Sequence, residues 1–314
     1  MTPRTRGTRQ AQAMFRVVEI TSRPVRLSIE GRCLTVSDSN GHVLDRAPLD
    51  ELDALILAQP AVSLTGEILS EFGKKRIALV CCDSSYSPTA CMLPSFVECT
   101  IRRNVLAAQC RQTAPLLKRI WQCLVSKKIE GEARILRKFR KSNLLDRLPS
   151  QVKSGDKGNL ESRAAVIYWS HLNIFPHRDR TAEDANRLLN YAYTILFSAT
   201  ARYLLAAGME PRIGLHHSNP NNPFCLASDL MEPYRPIADE CVIDVLAENN
   251  QRSELDFRTR RSLCNKLSEF KVPMNGQNFK FFEAIRQTIL SYRHIFMEDK
   301  KSKLLLPEYQ NLSA

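Results

Sequence analysis

The residues best suited to chemistry lie in one stretch, 214–236, which reads GLHHSNPNNPFCLASDLMEPYRP and holds His216, His217, Asp229 and Glu232. The run Ser218-Asn219-Pro220-Asn221-Asn222-Pro223 reads as a loop, because Asn favours turns and each Pro drives its predecessor to extended geometry. From Phe224 the apolar spacing through Leu226, Ala227, Leu230 and Met231 predicts a helix. On that helix Asp229 and Glu232 stand at i and i+3, hence on one face. Two neighbouring carboxylates repel unless something positive lies between them. A divalent cation meets that need, with an imidazole from the loop completing the set. The same spacing also describes a surface helix with two solvated acids. Pro233 removes a helical donor and crowds the carbonyl of Asp229, so a kink is expected where the acids sit.

A third acid is Glu161, in the first turn of a helix expected over 160–172 with Asn159 as its cap. The apolar face of that helix is Leu160, Ala164, Ala165, Tyr168 and Leu172, and Glu161 points largely inward with it. An inward carboxylate calls for a counter-charge; the helix dipole alone also favours an acid there. His171 and His177 read as structural or solvent-facing. An apolar helix over 182–207, stopped by Gly208, is expected at the centre of this part of the chain. Further helices are expected from Ala238, over 257–270 and over 279–296, with Asp239, Glu240 and Asp244 mostly exposed.

The elements before residue 95 read mainly as strands. Residues 15–20 and 25–29 alternate, and 33–36 runs into Asn40-Gly41, a strong hairpin signal, with 42–44 returning. Residues 52–57 suggest a strand or short helix, 65–72 a helix stopped by Gly73, and 76–81 a buried strand. After Pro94 the pattern turns helical. Residues 99–142 interleave apolar positions with Arg102, Arg103, Arg111, Lys118, Arg119, Lys127, Lys128, Arg134, Arg137, Lys138, Arg140 and Lys141. These read as the outer basic face of amphipathic helices, extended by Arg258, Arg260 and Arg261. The run Leu304-Leu305-Leu306 reads as a short apolar plug that docks on a partner chain.

The 314 residues suffice for two cores, and 45 Lys+Arg against 33 Asp+Glu, a net charge of +12, point to an anionic partner, nucleic acid first. A basic surface with no dedicated partner is the plainer alternative. Residues 1–13 are basic and read as a disordered tail, with no apolar segment of a signal peptide. No apolar run has the length of a membrane span, so a cytoplasmic protein is expected. The ten cysteines show no metal-ligand spacing and no C-x-x-C, and read as reduced core residues. There is no internal repeat and no Gly-rich phosphate loop.

Two stretches carry a resemblance. One is Gly155-Asp156-Lys157-x-Asn159-x-Glu161-x-x-Ala164-Ala165 followed by Tyr168-Trp169. The other runs from Gly214-Leu215-His216-His217 through Asn222-Pro223-Phe224 to Asp229-Leu230-Met231-Glu232-Pro233-Tyr234-Arg235-Pro236. With FRVVEIT, SLTGEILSEFGKKRIALVCCD and Leu116-Leu117-Lys118-Arg119-Ile120-Trp121, they resemble the CRISPR adaptation integrase/endonuclease family, in its type II branch, over nearly the whole chain. The resemblance implies an α+β fold, a small N-terminal β-sandwich-like domain followed by a larger all-α catalytic domain. The expected divisions are 1–13, 14–95, 96–298 and a tail 299–314. It implies a site for Mg²⁺ or Mn²⁺ on Glu161, His217 and Glu232, with Asp229 nearby as a fourth acid. Spacing back from Glu232 in the type II pattern that the chain resembles favours His217 over His216. Many relatives carry Asp where this chain has Glu232, and either carboxylate holds such an ion. It also implies an activity: a metal-dependent endonuclease and integrase that inserts new spacer DNA into a CRISPR array through a 3′-hydroxyl. Its partners would be double-stranded prespacer and repeat DNA, a second copy of the chain and a small adaptation protein. The competing readings are a non-catalytic basic DNA-binding scaffold on the same fold, and another metal-dependent nuclease or transposase without the small partner.

Overall fold

The computed structural model describes residues 17–20, 23–52, 54–83, 88–92, 99–140, 142–172, 185–248 and 254–309. The expected basic tail 1–13 and His177 lie outside them. The N-terminal part comprises β1 (Val17–Ile20), β2 (Val25–Glu30), β3 (Cys33–Ser37), β4 (Val43–Pro48), β5 (Ala54–Leu57), β6 (Val62–Leu64), α1 (Gly66–Lys75), β7 (Ala78–Cys82) and β8 (Pro88–Met92). One sheet has the order β4-β3-β2-β6, with the Asn40-Gly41 turn between β3 and β4. The other has the order β1-β5-β7-β8, in which β1, β5 and β7 run parallel. Gly73 does not stop α1; the helix runs on to Lys75 and ends at Arg76, which takes the left-handed conformation at φ 60°.

Strand β5 shows why this sheet joins two cores. Its residues Ala54-Leu55-Ile56-Leu57 are all buried, because side chains alternate and both faces are covered. Leu55 and Leu57 join Leu27, Leu34, Ile68 and Phe72 in the core shared by the two sheets and α1. Ala54, Ile56 and Ala78 face the other way, into the core of the helices beyond. Glu19 of β1 lies in this second contact. The Tyr191 hydroxyl donates to it at 2.6 Å and Arg260 lies 3.4 Å away, so Arg260 is a buried contact residue and not part of an exposed basic surface. Burial pushes the Glu19 carboxyl up to about 7, against the Tyr191 hydrogen bond and the Arg260 charge. The fold therefore keeps a proton on Glu19 that the unfolded chain releases near 4.5. This contribution to stability is full below about pH 4.5 and is lost as pH rises to about 7, to a limit of about 3 kcal/mol. Glu19→Gln will flatten that decline, so thermal unfolding at pH 5 and pH 8 will favour the variant increasingly at the higher pH. Parallel curves would contradict it.

The helical part comprises α2 (Cys99–Cys110), α3 (Ala114–Arg140), α4 (Leu160–Leu172), α5 (Asn186–Ala206), α6 (Cys225–Leu230), α7 (Arg235–Glu248), α8 (Phe257–Glu269) and α9 (Phe281–Met297). It is not purely helical. A hairpin of β9 (Lys271–Met274) and β10 (Gln277–Lys280) turns at Asn275-Gly276, both at positive φ, the same signal that marks Asn40-Gly41. Gly208, at φ 76°, closes α5 as expected. The C-terminal leucines dock on their own chain. Leu304, Leu306 and Tyr309 are buried in the helical core, Thr288 Oγ1 donates to the Leu305 carbonyl, and the Tyr309 hydroxyl donates to the Pro233 carbonyl. Among the described residues no helix is long and apolar enough to cross a membrane.

Candidate metal centre

The site is built on α3. Its buried residues include Trp121, Leu124, Val125, Ile129, Ala133 and Leu136, and three charged residues, Lys128, Glu132 and Arg134, are buried with them. Lys128 and Arg134 are thus interior groups. Arg103, Arg111, Lys118, Arg119, Arg137, Lys138 and Arg140 are exposed. Lys128 Nζ donates to Glu161 Oε1 at 2.7 Å and stands 2.7 Å from Glu232 Oε2, the second contact being charge to charge and not a directed hydrogen bond. Burial opposes the ammonium, but Glu232, Glu132 and Glu161 outweigh it and hold the Lys128 pKa above the usual lysine value.

Glu161 is positioned by the start of α4. The residue that caps this helix is Asp156, not Asn159. The Asp156 carboxylate accepts from the Leu160 and Glu161 amides at 2.9 and 3.0 Å, while Asn159 takes a left-handed turn at φ 48°. Glu232 is positioned by a break. Helix α6 stops at Leu230, Glu232–Tyr234 forms a 3-10 turn, and α7 begins at Arg235, in keeping with the kink that Pro233 demands. That break separates the two acids. Glu232 turns to Lys128 and to Arg235, whose guanidinium lies 3.2 Å from Oε1. Burial pushes the Glu232 carboxyl up, but Arg235 and Lys128 outweigh it and the pKa falls below the usual value.

Asp229 faces the loop and is fully buried. Its carboxylate accepts from the backbone amides of Leu215 at 2.6 Å, His216 at 3.0 Å and His217 at 3.4 Å, and meets His217 Nδ1 at 2.5 Å. This bond, ahead of the cost of burial, raises the His217 pKa, and the charges of Glu232 and Glu161 add to it. With Nδ1 held by Asp229, Nε2 is the ring nitrogen left for a ligand. Trp121 is the floor beneath both histidines. His216 stacks on its indole at 4.4 Å between ring centroids, and His217 meets it edge-on at 5.6 Å. Gly214 admits this crowding: a Cβ there would lie 2.2 Å from the His217 carbonyl and 3.0 Å from Asp229 Oδ2. Gly214→Ala will shift the loop and cost about 1–3 kcal/mol, read as a lower unfolding midpoint; an unchanged midpoint would mean that the loop yields freely.

Of the acids of α7, Asp239 and Glu240 are buried, not exposed, while Asp244 is half-buried and Glu248 is exposed. Asp239 accepts from the hydroxyls of Tyr168 at 3.0 Å and Tyr193 at 2.5 Å, and Glu240 pairs with Arg134 and with Lys138 at 2.8 Å. Glu132 is buried one turn beyond Lys128, and its Oε2 has no hydrogen-bond partner among the described residues. Burial raises the Glu132 carboxyl to about 8, Lys128 opposing and Asp239, Glu232 and Glu161 adding repulsion. Lys128, Glu132, Trp121 and Arg235 do not stand out from the sequence as site residues. The available signal is a pair of charges at i and i+4 inside the apolar stripe of a long helix.

The donor set fits a hard divalent ion: two carboxylates drawn to one positive charge, and a neighbouring imidazole oriented by a third carboxylate. Among the described residues no three His, Cys, Asp or Glu side chains already enclose such an ion; the Lys128 ammonium stands between two of them. Arg235, the partner of Glu232, also lines a cleft of about 730 Å³ whose walls include Trp169, Tyr193, Phe197, Asn222 and Phe224.

This fold and site define a class, and sequence comparison agrees with it. The chain belongs to the Cas1 family: the family model described as CRISPR associated protein Cas1 matches residues 18–269. The CRISPR-associated endonuclease Cas1 of Neisseria meningitidis serogroup C (strain 8013) is 30% identical over 289 residues, covering 90% of this chain and 93% of that relative. Among solved structures, a casposase bound to integration product superposes with a TM-score of 0.77 at 17% identity, over 96% of this chain and 94% of that one. A chain of a Cas6-RT-Cas1–Cas2 complex superposes with a TM-score of 0.76 at 19% identity, over 97% of this chain and 37% of that one. At these identities the two structures show likeness of fold.

Proposed function

We propose that this Cas1-family chain is a divalent-metal-dependent DNA endonuclease and integrase that joins the 3′ end of spacer DNA to a CRISPR repeat. The observation that carries the reading is the meeting of Glu161 and Glu232, far apart in sequence, on a single cation at 2.7 Å from each. Glu161, Glu232 and His217 Nε2 would hold Mg²⁺ or Mn²⁺. When bound, the ion supplies Lewis acidity to the scissile phosphate and to the departing oxygen. Asp229 keeps the proton on Nδ1 of His217 and fixes the ring, and Trp121 limits its tilt. Arg235 keeps Glu232 ionised and aimed. The exposed arginines and lysines of α2 and α3 seat the duplex by its phosphates. The cleft lined by Arg235 offers rings and amides to an unstacked base near the strand end.

In the joining step the 3′-hydroxyl oxygen of the incoming strand attacks phosphorus. The bond to the host strand's 3′ oxygen breaks, so one phosphodiester replaces another. With water as nucleophile the same site cleaves. The N. meningitidis relative is named an endonuclease, and a structural neighbour sits in a complex with Cas2. The first supports the nuclease activity and the second a small adaptation protein as partner; a second copy of the chain and a cytoplasmic location complete the proposal. The test is half-site joining of a labelled prespacer to a repeat-containing plasmid, with Mn²⁺, Mg²⁺ or chelator, and with and without the small partner. Metal-dependent covalent joining is expected. Equal product in chelator, or DNA binding with no joining under any condition, would instead favour the scaffold.

A further inference from the structure

Lys128 stands where the proposed function calls for a metal ion, and the role assigned to it rests on that reading. Its ammonium bridges Glu161 and Glu232 at 2.7 Å each and its side chain is 10% exposed, so it is an interior group and not a surface pair. A divalent ion bound by both carboxylates would face this ammonium at close range, and two cations there repel. The lysine has somewhere to go. Glu132 lies four residues along the same helix, on the same buried stripe, with its Oε2 unpartnered among the described residues. Four flexible stem carbons let an ammonium swing across one helical turn. Glu232 would not be left without a positive neighbour, because Arg235 holds its other oxygen.

We propose that Lys128 is a resident cation that holds Glu161 and Glu232 together before metal binding, competes with the metal for them, and is received by Glu132 when the metal enters. Lys128 is then a positioning residue: it preassembles the carboxylates and raises the metal concentration at which the site fills.

The experiment is a Mn²⁺ titration of the full chain, reading free Mn²⁺ by its electron paramagnetic resonance signal, for wild type, Lys128→Gln, Glu132→Gln and Glu161→Gln. Lys128→Gln removes the competitor and is expected to bind Mn²⁺ about tenfold or more tightly, an outcome that mere structural support by Lys128 would not produce. Glu132→Gln removes the receiving carboxyl, which could no longer ionise to take the ammonium, and is expected to weaken binding about threefold to tenfold. Glu161→Gln is expected to lose the site; if it binds Mn²⁺ as wild type does, the metal-centre reading itself is wrong. If Glu161 is required but Lys128→Gln binds no more tightly than wild type, the proposal falls while the reading stands. Unfolding in chelator reports whether Lys128→Gln is folded. Should it not fold, Glu132→Gln, which breaks no ion pair in this structure, decides: wild-type Mn²⁺ affinity in that variant overturns the proposal.

Discussion

Glu161→Gln will abolish strand joining while leaving duplex binding largely intact. Substitution of a partner that merely orients a ligand costs roughly 10–100-fold, and loss of a ligand should exceed that. Glu161 is half-buried at the start of α4, held by the Lys128 ammonium on one side and by the Asp156 cap at its backbone. Gln keeps the size and one acceptor, so the helix start and the contact with Lys128 survive. What disappears is the negative charge that draws a cation. The basic residues that seat DNA lie on the exposed faces of α2 and α3 and are untouched. Joining measured beside an electrophoretic binding assay separates the two effects. A variant that joins ends at the wild-type rate would show that Glu161 is not part of the centre.

Asp229→Ala will damage both the fold and the chemistry. The Asp229 carboxylate is fully buried and gathers three successive backbone amides and the His217 ring. Its removal strands those donors and frees the imidazole to rotate. Breaking a buried, hydrogen-bonded charge of this kind costs about 3 kcal/mol or more, and the loss of His217 orientation lowers metal affinity by roughly 10–100-fold. Asp229→Asn, which keeps one acceptor oxygen, should fall between. Denaturant unfolding and Mn²⁺ titration read the two parts separately. A variant with intact stability but lost metal binding would instead make Asp229 a direct ligand.

The residue pattern locates the elements that hold this site better than it locates their partners. Histidines, a loop of Asn and Pro, and an acid on either side of a helix break are local signals, and residues 214–236 carry them in one run. The kink is legible from Pro233. The i, i+3 geometry of Asp229 and Glu232 does not survive, because the same proline ends α6 at Leu230 and sends the two carboxylates to different partners. An inward Glu161 in want of a counter-charge is legible from the apolar face of α4. That the charge is Lys128 is not, because the partner lies on another helix and a basic residue in a basic stretch reads as solvated. For the same reason Arg134, Arg260, Asp239 and Glu240 read as surface residues, although each is buried against a specific partner. The hairpin at Asn275-Gly276 carries a readable turn signal. The short flanking strands Lys271–Met274 and Gln277–Lys280 disappear between two long helical periodicities.

The most direct measurement of the central claim is the anomalous scattering of Mn²⁺ in crystals of the full chain. The account predicts a single strong peak within about 2–2.3 Å of a Glu161 oxygen, a Glu232 oxygen and His217 Nε2, with Asp229 still on Nδ1. A peak elsewhere on the chain, with Glu161 and Glu232 still joined through Lys128 at saturating Mn²⁺, would contradict it.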